Sequence, residues 1–162
     1  MNSFILKSKT SIRILFVILC FLLGITSCKT YSEDDHKKFD LSIQNYIKKN
    51  QLKGFEKSES GLYYKIINEG SGEFIKLTDE VSFNYVGKLL NGKTFDGEHR
   101  KNPISFQMKE LIEGWKEGIS YLKNGGKMKL IVPPYLGYGD YQLEDIPQHS
   151  ILVFDIEIVD VK

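Results

Sequence analysis

The chain has 162 residues, of which 41% are hydrophobic and 27% are charged. This size and composition suit one globular domain with an appended segment. The formal net charge is only +1, and the lysines and arginines are scattered along the chain. Because nucleic-acid-binding domains concentrate basic residues on one face, this balance argues against DNA or RNA as a partner.

The first residues have the composition of an export signal. A stretch with Lys7, Lys9 and Arg13 but no acid precedes a run of twelve apolar residues, 14–25. A basic segment, a short apolar run and small residues after it predict a secretory signal peptide over residues 1–27. Twelve apolar residues are too few to span a bilayer easily, which takes about 20. A buried core helix is the alternative, and the uninterrupted run disfavours it.

The end of this segment reads Ile-Thr-Ser-Cys, with the cysteine at position 28. It resembles a bacterial lipobox, which implies that Cys28 is the lipidated first residue of the mature protein. The expected location is then the cell envelope, with a lipid anchor at the periplasmic face or in the outer membrane. An ordinary signal peptide followed by a chance cysteine is the alternative. Cys20 would leave with the signal peptide, so no intrachain disulfide is expected.

The segment 28–59 is predicted to be a tether that contains one short helix. Residues 29–40 are polar and include an acidic run at 33–35, which is either simply solvated or a sorting signal. Apolar side chains then recur at helical spacing, which predicts an amphipathic helix over about 38–50; they are Phe39, Ile43, Tyr46 and Ile47.

Residues 60–162 have the pattern of a β-rich domain. In VSFNYVGKL (81–89) apolar and polar residues alternate, and Asn91-Gly92 after it predicts a hairpin. One short helical segment lies among the predicted strands, which are LYYKII, VSFNYVGKL, TFDGE, PISFQM, KMKLIV and ILVFDIEIVD. The predicted fold is α+β, with a curved antiparallel sheet of about five or six strands wrapped around one short helix. One face of the sheet is expected to be wet.

The helical segment ELIEGWKEGISYL (110–122) holds the only tryptophan, Trp115. Gly114 and Gly118 flank it, and each glycine costs about 0.5–1 kcal/mol relative to alanine inside a helix. Close approach of the sheet to the helix backbone would offset this cost. Ordinary core packing is the alternative, and composition does not separate the two.

Common catalytic motifs are absent from the sequence. The three histidines, His36, His99 and His149, lack metal-ligand spacing, and no nucleophilic-serine, zinc-protease or phosphate-loop motif occurs. We therefore predict no metal and no cofactor. The domain instead carries aromatic residues in separate segments, and each taken alone is an ordinary core residue.

Three blocks in order resemble the FKBP-type peptidyl-prolyl isomerases, namely VSFNYVGKLLNGKTFD, LIEGWKEGISYLKNGGKMKLIVPPYLGYG and IPQHSILVFDIEIV. The resemblance covers about residues 61–162. It implies an FKBP-like fold and cofactor-free isomerisation of X–Pro bonds in exported polypeptides. It also implies a possible macrolide inhibitor, and a monomer is the default expectation.

The same resemblance assigns the residues of a proline pocket. Trp115 is expected at its floor, although burial entirely within the core is the alternative. Catalytic roles are implied for three residues. Tyr138 and the backbone N–H of Ile146 would donate to the substrate carbonyl, and Asp96 would orient Tyr85 or face the rotated amide. The remaining substrate-binding positions are Tyr85, Phe95, Phe106, Leu111, Ile112 and Phe154.

Two departures from the family pattern concern the substrate. Gln148 stands where a second proline is common, and the loop 140–145 (DYQLED) is acidic and lacks the usual glycines. These differences bear on substrate preference more than on activity. Two other functions stay open, a chaperone that holds proline-containing segments and a scaffold subunit of an envelope machine. The layout also resembles gliding-motility-associated FKBP-like lipoproteins of Bacteroidetes.

Overall fold

The structure is a computed structural model that describes residues 31–97 and 102–162. The predicted signal peptide, Cys28 and His99 lie outside the described residues. Within the described residues, residues Glu33–Lys162 form one compact unit. No helix in this part of the chain is both long and apolar enough to cross a membrane.

Two α-helices and nine strands make up the described part of the chain. The helices are α1 (Glu33–Lys49) and α2 (Glu113–Ser120), and short 3₁₀ turns lie at Met108–Glu110 and Pro134–Leu136. The strands are β1 (Glu56–Lys57), β2 (Tyr63–Asn68), β3 (Ser71–Phe74), β4 (Glu80–Leu89), β5 (Thr94–Asp96), β6 (Ile104–Gln107), β7 (Lys123–Asn124), β8 (Lys127–Val132) and β9 (Leu152–Val161).

The main sheet is antiparallel, with the strand order β1-β2-β8-β9-β4-β5, and β6 also pairs with β4. Its longest pairing joins β4 to β9, from Val81 opposite Val161 to Leu89 opposite Leu152. The predicted α+β fold is therefore confirmed. None of the predicted strands includes Ser71–Phe74, but this segment forms β3, which pairs with β7. The partner strand lies about fifty residues away, so local pattern gives no sign of this pairing.

The inner face of the sheet holds the main core. Leu152, Phe154, Ile156 and Ile158 alternate along β9 and are all buried, as their spacing predicts. The opposing buried side chains come from the neighbouring strands and from α2, and include Val81, Phe83, Leu130, Val132, Trp115 and Ile119. The sheet thus curves around α2 as predicted.

The two helical glycines allow α2 to lie directly against β8. A Cβ atom at Gly114 would lie 2.7 Å from Cγ1 of Val132, and one at Gly118 would lie 2.7 Å from Cδ2 of Leu130. Both distances are too short for carbon atoms in van der Waals contact. Of the two explanations for these glycines, close approach of the sheet is the one that the structure supports.

Helix α1 begins at Glu33, five residues before the predicted start near 38. Residues 33–40, which were predicted to precede most of the helix, are therefore part of it. The three acids at 33–35 lie in the first turn, where the helix dipole favours negative charge. Ile43 of α1 is buried in a second cluster, on the face of the sheet opposite α2, together with Tyr63, Ile131 and Ile151.

A polar contact reinforces this docking. The Tyr63 hydroxyl donates to Asp40 Oδ1 at 2.7 Å, and Lys57 Nζ lies 2.5 Å from the same oxygen. Burial acts to raise the pKa of Asp40, but the bonds from Lys57 and Tyr63 outweigh it, and the pKa lies below its ordinary value. Burial, followed by the bond to Asp40, raises the pKa of Tyr63 to about 12. The outer face, which was predicted to be wet, is thus covered by α1 in part, while Val159 on β9 stays exposed.

The close approach predicts that Gly114→Ala destabilises the fold, although alanine is the better helix former. The new methyl group would overlap the stiff, buried side chain of Val132, and overpacking of this kind costs about 1–3 kcal/mol. Urea denaturation gives the free energy of unfolding of the wild type, of Gly114→Ala, of Val132→Ala and of the double variant. The four values give the loss of stability in Gly114→Ala and the coupling energy between the two positions. A more stable Gly114→Ala protein, or strictly additive losses in the double variant, would contradict the account.

Candidate functional site

One cavity, with a volume of about 780 Å³, is lined by residues of β4, β5, β6, α2 and β9 and by a loop. All ten residues that the sequence assigned to a pocket line it, and they come from six separate elements and loops of the chain. They are Tyr85, Phe95, Asp96, Phe106, Leu111, Ile112, Trp115, Tyr138, Ile146 and Phe154. The structure therefore brings the whole predicted set together, while the role of each residue stays a prediction.

Trp115 of α2 forms the aromatic centre of this cavity. Its ring meets those of Phe83, Tyr85 and Phe154 edge to face, with ring centroids 5.0, 5.1 and 5.0 Å away. Phe95 continues the set through an edge contact with Phe154, at 5.7 Å. Such edge-to-face pairs are each worth about 0.5–1.5 kcal/mol beyond the area they bury. Rings held in this way form a wall whose shape is fixed before any ligand enters.

Trp115 is both a core residue and a lining residue. Only 5% of it is exposed, yet it borders the cavity. Its indole N–H is buried without an acceptor among the described residues. An unpaired buried donor is uncommon in folded proteins, because losing a hydrogen bond to water costs about 1–3 kcal/mol.

Asp96 stands at the end of β5, where its carboxylate is held from two sides. The Tyr85 hydroxyl donates to Oδ2, and the backbone N–H of Gly97 donates to Oδ1 at 2.7 Å. The sequence predicted that Asp96 either orients Tyr85 or faces the substrate amide. The bond to Tyr85 gives the first of these alternatives a structural basis.

Tyr138 lies in the loop after the 3₁₀ turn Pro134–Leu136 and is half-buried. The backbone N–H of Gly139 donates to Pro134 O at 2.9 Å, and that of His149 donates to Gly139 O at 2.8 Å, which fixes the loop. Burial, followed by the negative charge of Asp96, raises the pKa of Tyr138. The hydroxyl therefore keeps its proton at neutral pH, and it has no hydrogen-bond partner among the described residues.

The opposite side of the cavity is formed by the loop that precedes Ile146, which is itself 5% exposed. The backbone N–H of Leu143 donates to Ile146 O at 3.0 Å, and Asp145 forms an ion pair with Lys93 at 2.8 Å. Phe106 on β6 is 43% exposed and lies at the rim rather than in the interior.

Sequence reasoning missed one polar group, the backbone N–H of Ile112. This residue caps the start of α2, where N–H groups lack partners within the helix, and it also lines the cavity. Recognising where the helix begins could have identified it, but the sequence placed the start of the helical segment at 110. Seven further lining residues were not assigned individually, namely Phe83, Ile104, Ser105, Glu110, Leu143, Glu144 and Asp145.

No group of three or more histidine, cysteine, aspartate or glutamate side chains in the described residues is arranged to hold a metal ion. The residues that line the cavity form an apolar, aromatic surface with several polar groups. These include the hydroxyls of Tyr138 and Ser105 and the carboxylates of Asp96, Glu110, Glu144 and Asp145.

The family model for FKBP-type peptidyl-prolyl cis-trans isomerases matches residues 71–159, which is more than half of the chain. The chain therefore belongs to this family. The matched range contains the strands β3–β8, most of β9, α2 and every residue of the predicted pocket.

Individual relatives agree with this assignment. The FKBP-type peptidyl-prolyl cis-trans isomerase FkpA of Buchnera aphidicola subsp. Schizaphis graminum is 48% identical over 139 residues, which cover 84% of this chain and 55% of that protein. The FkpA of Escherichia coli K12 is 46% identical over 111 residues, covering 68% and 41%. The chain thus spans about half the length of the curated relatives it matches.

Solved structures show the same fold. The crystal structure of FkpA from Escherichia coli superposes with a TM-score of 0.69 at 41% identity, covering 80% of this chain and 62% of that one. A peptidyl-prolyl cis-trans isomerase from Pseudomonas syringae pv. tomato gives a TM-score of 0.65 at 25% identity, covering 82% and 98%.

The geometry predicts that Asp96→Asn lowers the pKa of Tyr138. The nearby negative charge disfavours the phenolate, so removing that charge should bring the pKa down toward the ordinary value of about 10. The ¹³Cζ chemical shift of Tyr138, assigned with Tyr138→Phe and followed against pH, measures this change. Tyr121 is an internal control, because burial and then Glu117 raise its pKa to about 12. An unchanged or higher pKa for Tyr138 would contradict the prediction.

Proposed function

We propose that this chain is a cofactor-free peptidyl-prolyl cis-trans isomerase that accelerates rotation about X–Pro bonds in exported polypeptides. The observation that carries the proposal is the convergence of all ten predicted pocket residues on one aromatic cavity, in a chain of this family. A proline ring fits such a surface, since it is apolar, rigid and lacks an N–H.

The barrier to be lowered is that of amide rotation, about 18–20 kcal/mol. Twisting the X–Pro bond removes resonance, and the twisted amide carries less charge separation than the planar one. An apolar cavity favours the less polar form, so it binds the transition state better than the ground state. No nucleophile or metal is required for this step.

The polar groups would act on the substrate carbonyls. The hydroxyl of Tyr138 keeps its proton at neutral pH, since its pKa is raised, and can donate a hydrogen bond to the substrate. The backbone N–H groups of Ile146 and Ile112 are two further donors on residues that line the cavity. Asp96 would position Tyr85 through the bond between them, and its charge adds to the effect of burial in raising the pKa of Tyr138.

The proposed location is the cell envelope, with Cys28 carrying a lipid anchor. The basic and apolar leader and the lipobox-like sequence before Cys28 support it. The resemblance to gliding-motility lipoproteins suggests clients among envelope proteins. Palmitate labelling in the native host tests the anchor. Labelling should be lost in Cys28→Ala, and an unlabelled wild-type chain would rule the anchor out.

Holding of unfolded clients is the second candidate function. Exposed apolar side chains lie at the rim or on the neighbouring loop, with 43% of Phe106, 42% of Leu143 and 74% of Tyr141 exposed. Such a surface can bind unfolded segments without turnover. A scaffold role has no comparable observation in its favour.

The isomerase proposal predicts faster cis-to-trans conversion of proline peptides, with a macrolide inhibitor as competitor. Tyr138→Phe and Asp96→Ala should each lower kcat/KM by about ten- to a hundredfold, because each removes one polar contribution to the transition state. Lys48→Ala, on the exposed end of α1, is a control that should leave the rate unchanged.

The outcomes separate the two candidates. Acceleration that is lost in the two pocket variants supports the isomerase. A folded protein that accelerates no peptide but suppresses aggregation of an unfolded client overturns it in favour of holding. A rate unchanged in Tyr138→Phe/Asp96→Ala would show that the proposed polar contributions are wrong.

A further inference from the structure

The charged residues that line the cavity are all acidic. Among the described residues, no lysine, arginine or histidine side chain lines it, while four carboxylates do. They come from three different segments, so they surround the aromatic floor rather than cluster at one point; they are Asp96, Glu110, Glu144 and Asp145.

Two of these carboxylates already have partners. Asp96 accepts bonds from Tyr85 and Gly97, and Asp145 is paired with Lys93. The other two are different. Glu110 ends the 3₁₀ turn beside Leu111, Glu144 lies in the acidic loop, and both are exposed. Neither forms an ion pair or a side-chain hydrogen bond with any residue that the structure describes.

The feature beneath these carboxylates is a formed cavity rather than a plain acidic surface. Its aromatic rings are held edge to face, and the buried indole N–H of Trp115 has no acceptor among the described residues. The Tyr138 hydroxyl is a second donor without a described partner. The cavity thus offers the Tyr138 hydroxyl as a donor suited to a peptide carbonyl, and its rim offers carboxylates suited to a cation.

We propose that this cavity selects proline segments that carry lysine or arginine directly beside the proline, and that Glu110 and Glu144 determine this preference. The inference rests on the proposed function, because it names the substrate class of the same site. It also gives the acidic loop 140–145, which departs from the family pattern, a physical role.

A basic side chain fits both parts of the rim. Its aliphatic stem can lie along an apolar surface while its charged head stays in water, as lysine and arginine commonly do. Phe106 and Leu111 offer that surface next to Glu110, and Leu143 offers it next to Glu144. An acidic residue at the same place would meet two like charges without a partner, so its peptide should be disfavoured.

The test compares one host peptide in which the residue before or after proline is Lys, Arg, Leu, Gln or Glu. With the full chain in detergent at low salt, kcat/KM for the better basic peptide should exceed that for leucine by about three- to tenfold, which is the scale of one or two exposed ion pairs. Peptides with glutamate should be slower than those with glutamine. Added salt should shrink the ratios, since exposed charges are screened.

Variants assign the preference to its residues. In Glu110→Gln/Glu144→Gln, the ratio of kcat/KM for the basic peptide to kcat/KM for the leucine peptide should fall to about one. In Glu110→Lys/Glu144→Lys, kcat/KM for the glutamate peptide should exceed that for the basic peptides. Glu59→Gln is the matched control, because Glu59 is exposed and lies outside the cavity lining. It should leave both the rates and the ratio unchanged.

The result that overturns the inference is equal acceleration of basic, neutral and acidic peptides, or a preference that survives Glu110→Gln/Glu144→Gln. Failure of the proposed function looks different, since no peptide would then be accelerated. In that case the same peptides are compared by their binding to the cavity, followed through the emission of Trp115. Tighter binding of basic peptides would still support the inference, and equal binding would overturn it.

Discussion

The contact of Trp115 with three aromatic rings of the sheet is the interaction on which the cavity depends. The indole meets Phe83, Tyr85 and Phe154 edge to face, so it cannot tilt without losing all three contacts. Gly114 and Gly118 place the helix backbone against β8, which fixes the height of the indole above the sheet. A floor held in this way does not collapse when the cavity lacks a ligand, and such preorganisation lowers the cost of binding.

The same constraint links the fold to the proposed chemistry. Amide rotation needs no attacking group, so the enzyme has to supply shape, low polarity and a few placed donors. The curved sheet supplies the shape and the low polarity. The loop of Tyr138 and the start of α2 supply the hydrogen-bond donors. The carboxylate of Asp96 connects them, since it holds Tyr85 and its charge raises the pKa of Tyr138.

Helix α1 adds a contact that lies outside the range matched by the family model. It packs on the outer face of the sheet through Ile43, and the His36 ring contacts that of Tyr135 in a tilted arrangement, with a centroid distance of 4.1 Å. Tyr135 belongs to the 3₁₀ turn that precedes Tyr138. The N-terminal helix therefore contacts the segment that carries a proposed catalytic residue.

Much of the fold could be predicted from local pattern. The alternation along β4 and β9 and the Asn91-Gly92 turn follow from the two-residue period of strands and from the positive φ of Gly92, +88°. The pairing of β3 with β7 could not, because it joins segments far apart in sequence. The early start of α1 was also missed, because residues 33–38 show no apolar periodicity. The acids of the first turn favour the helix there through the helix dipole, and the segment continues the later turns that pack on the sheet.

The site divides in the same way. Its apolar residues could be named from the order of the sequence blocks, because the family pattern assigns each one a position. The N–H of Ile112 and the rim carboxylates Glu110 and Glu144 could not, because their part depends on where a helix begins and on which acids already have partners. Both features depend on the folded structure, so they cannot be predicted from composition.

The most direct test of the central claim uses the single tryptophan as a reporter. Emission of Trp115 is followed while a peptide with one proline, or the same peptide with alanine in its place, is added to the full chain. If the indole is the floor beneath the proline ring, the proline peptide should change the emission in a saturable way and the alanine peptide should not. Equal responses to the two peptides, or no response to either, would contradict the account.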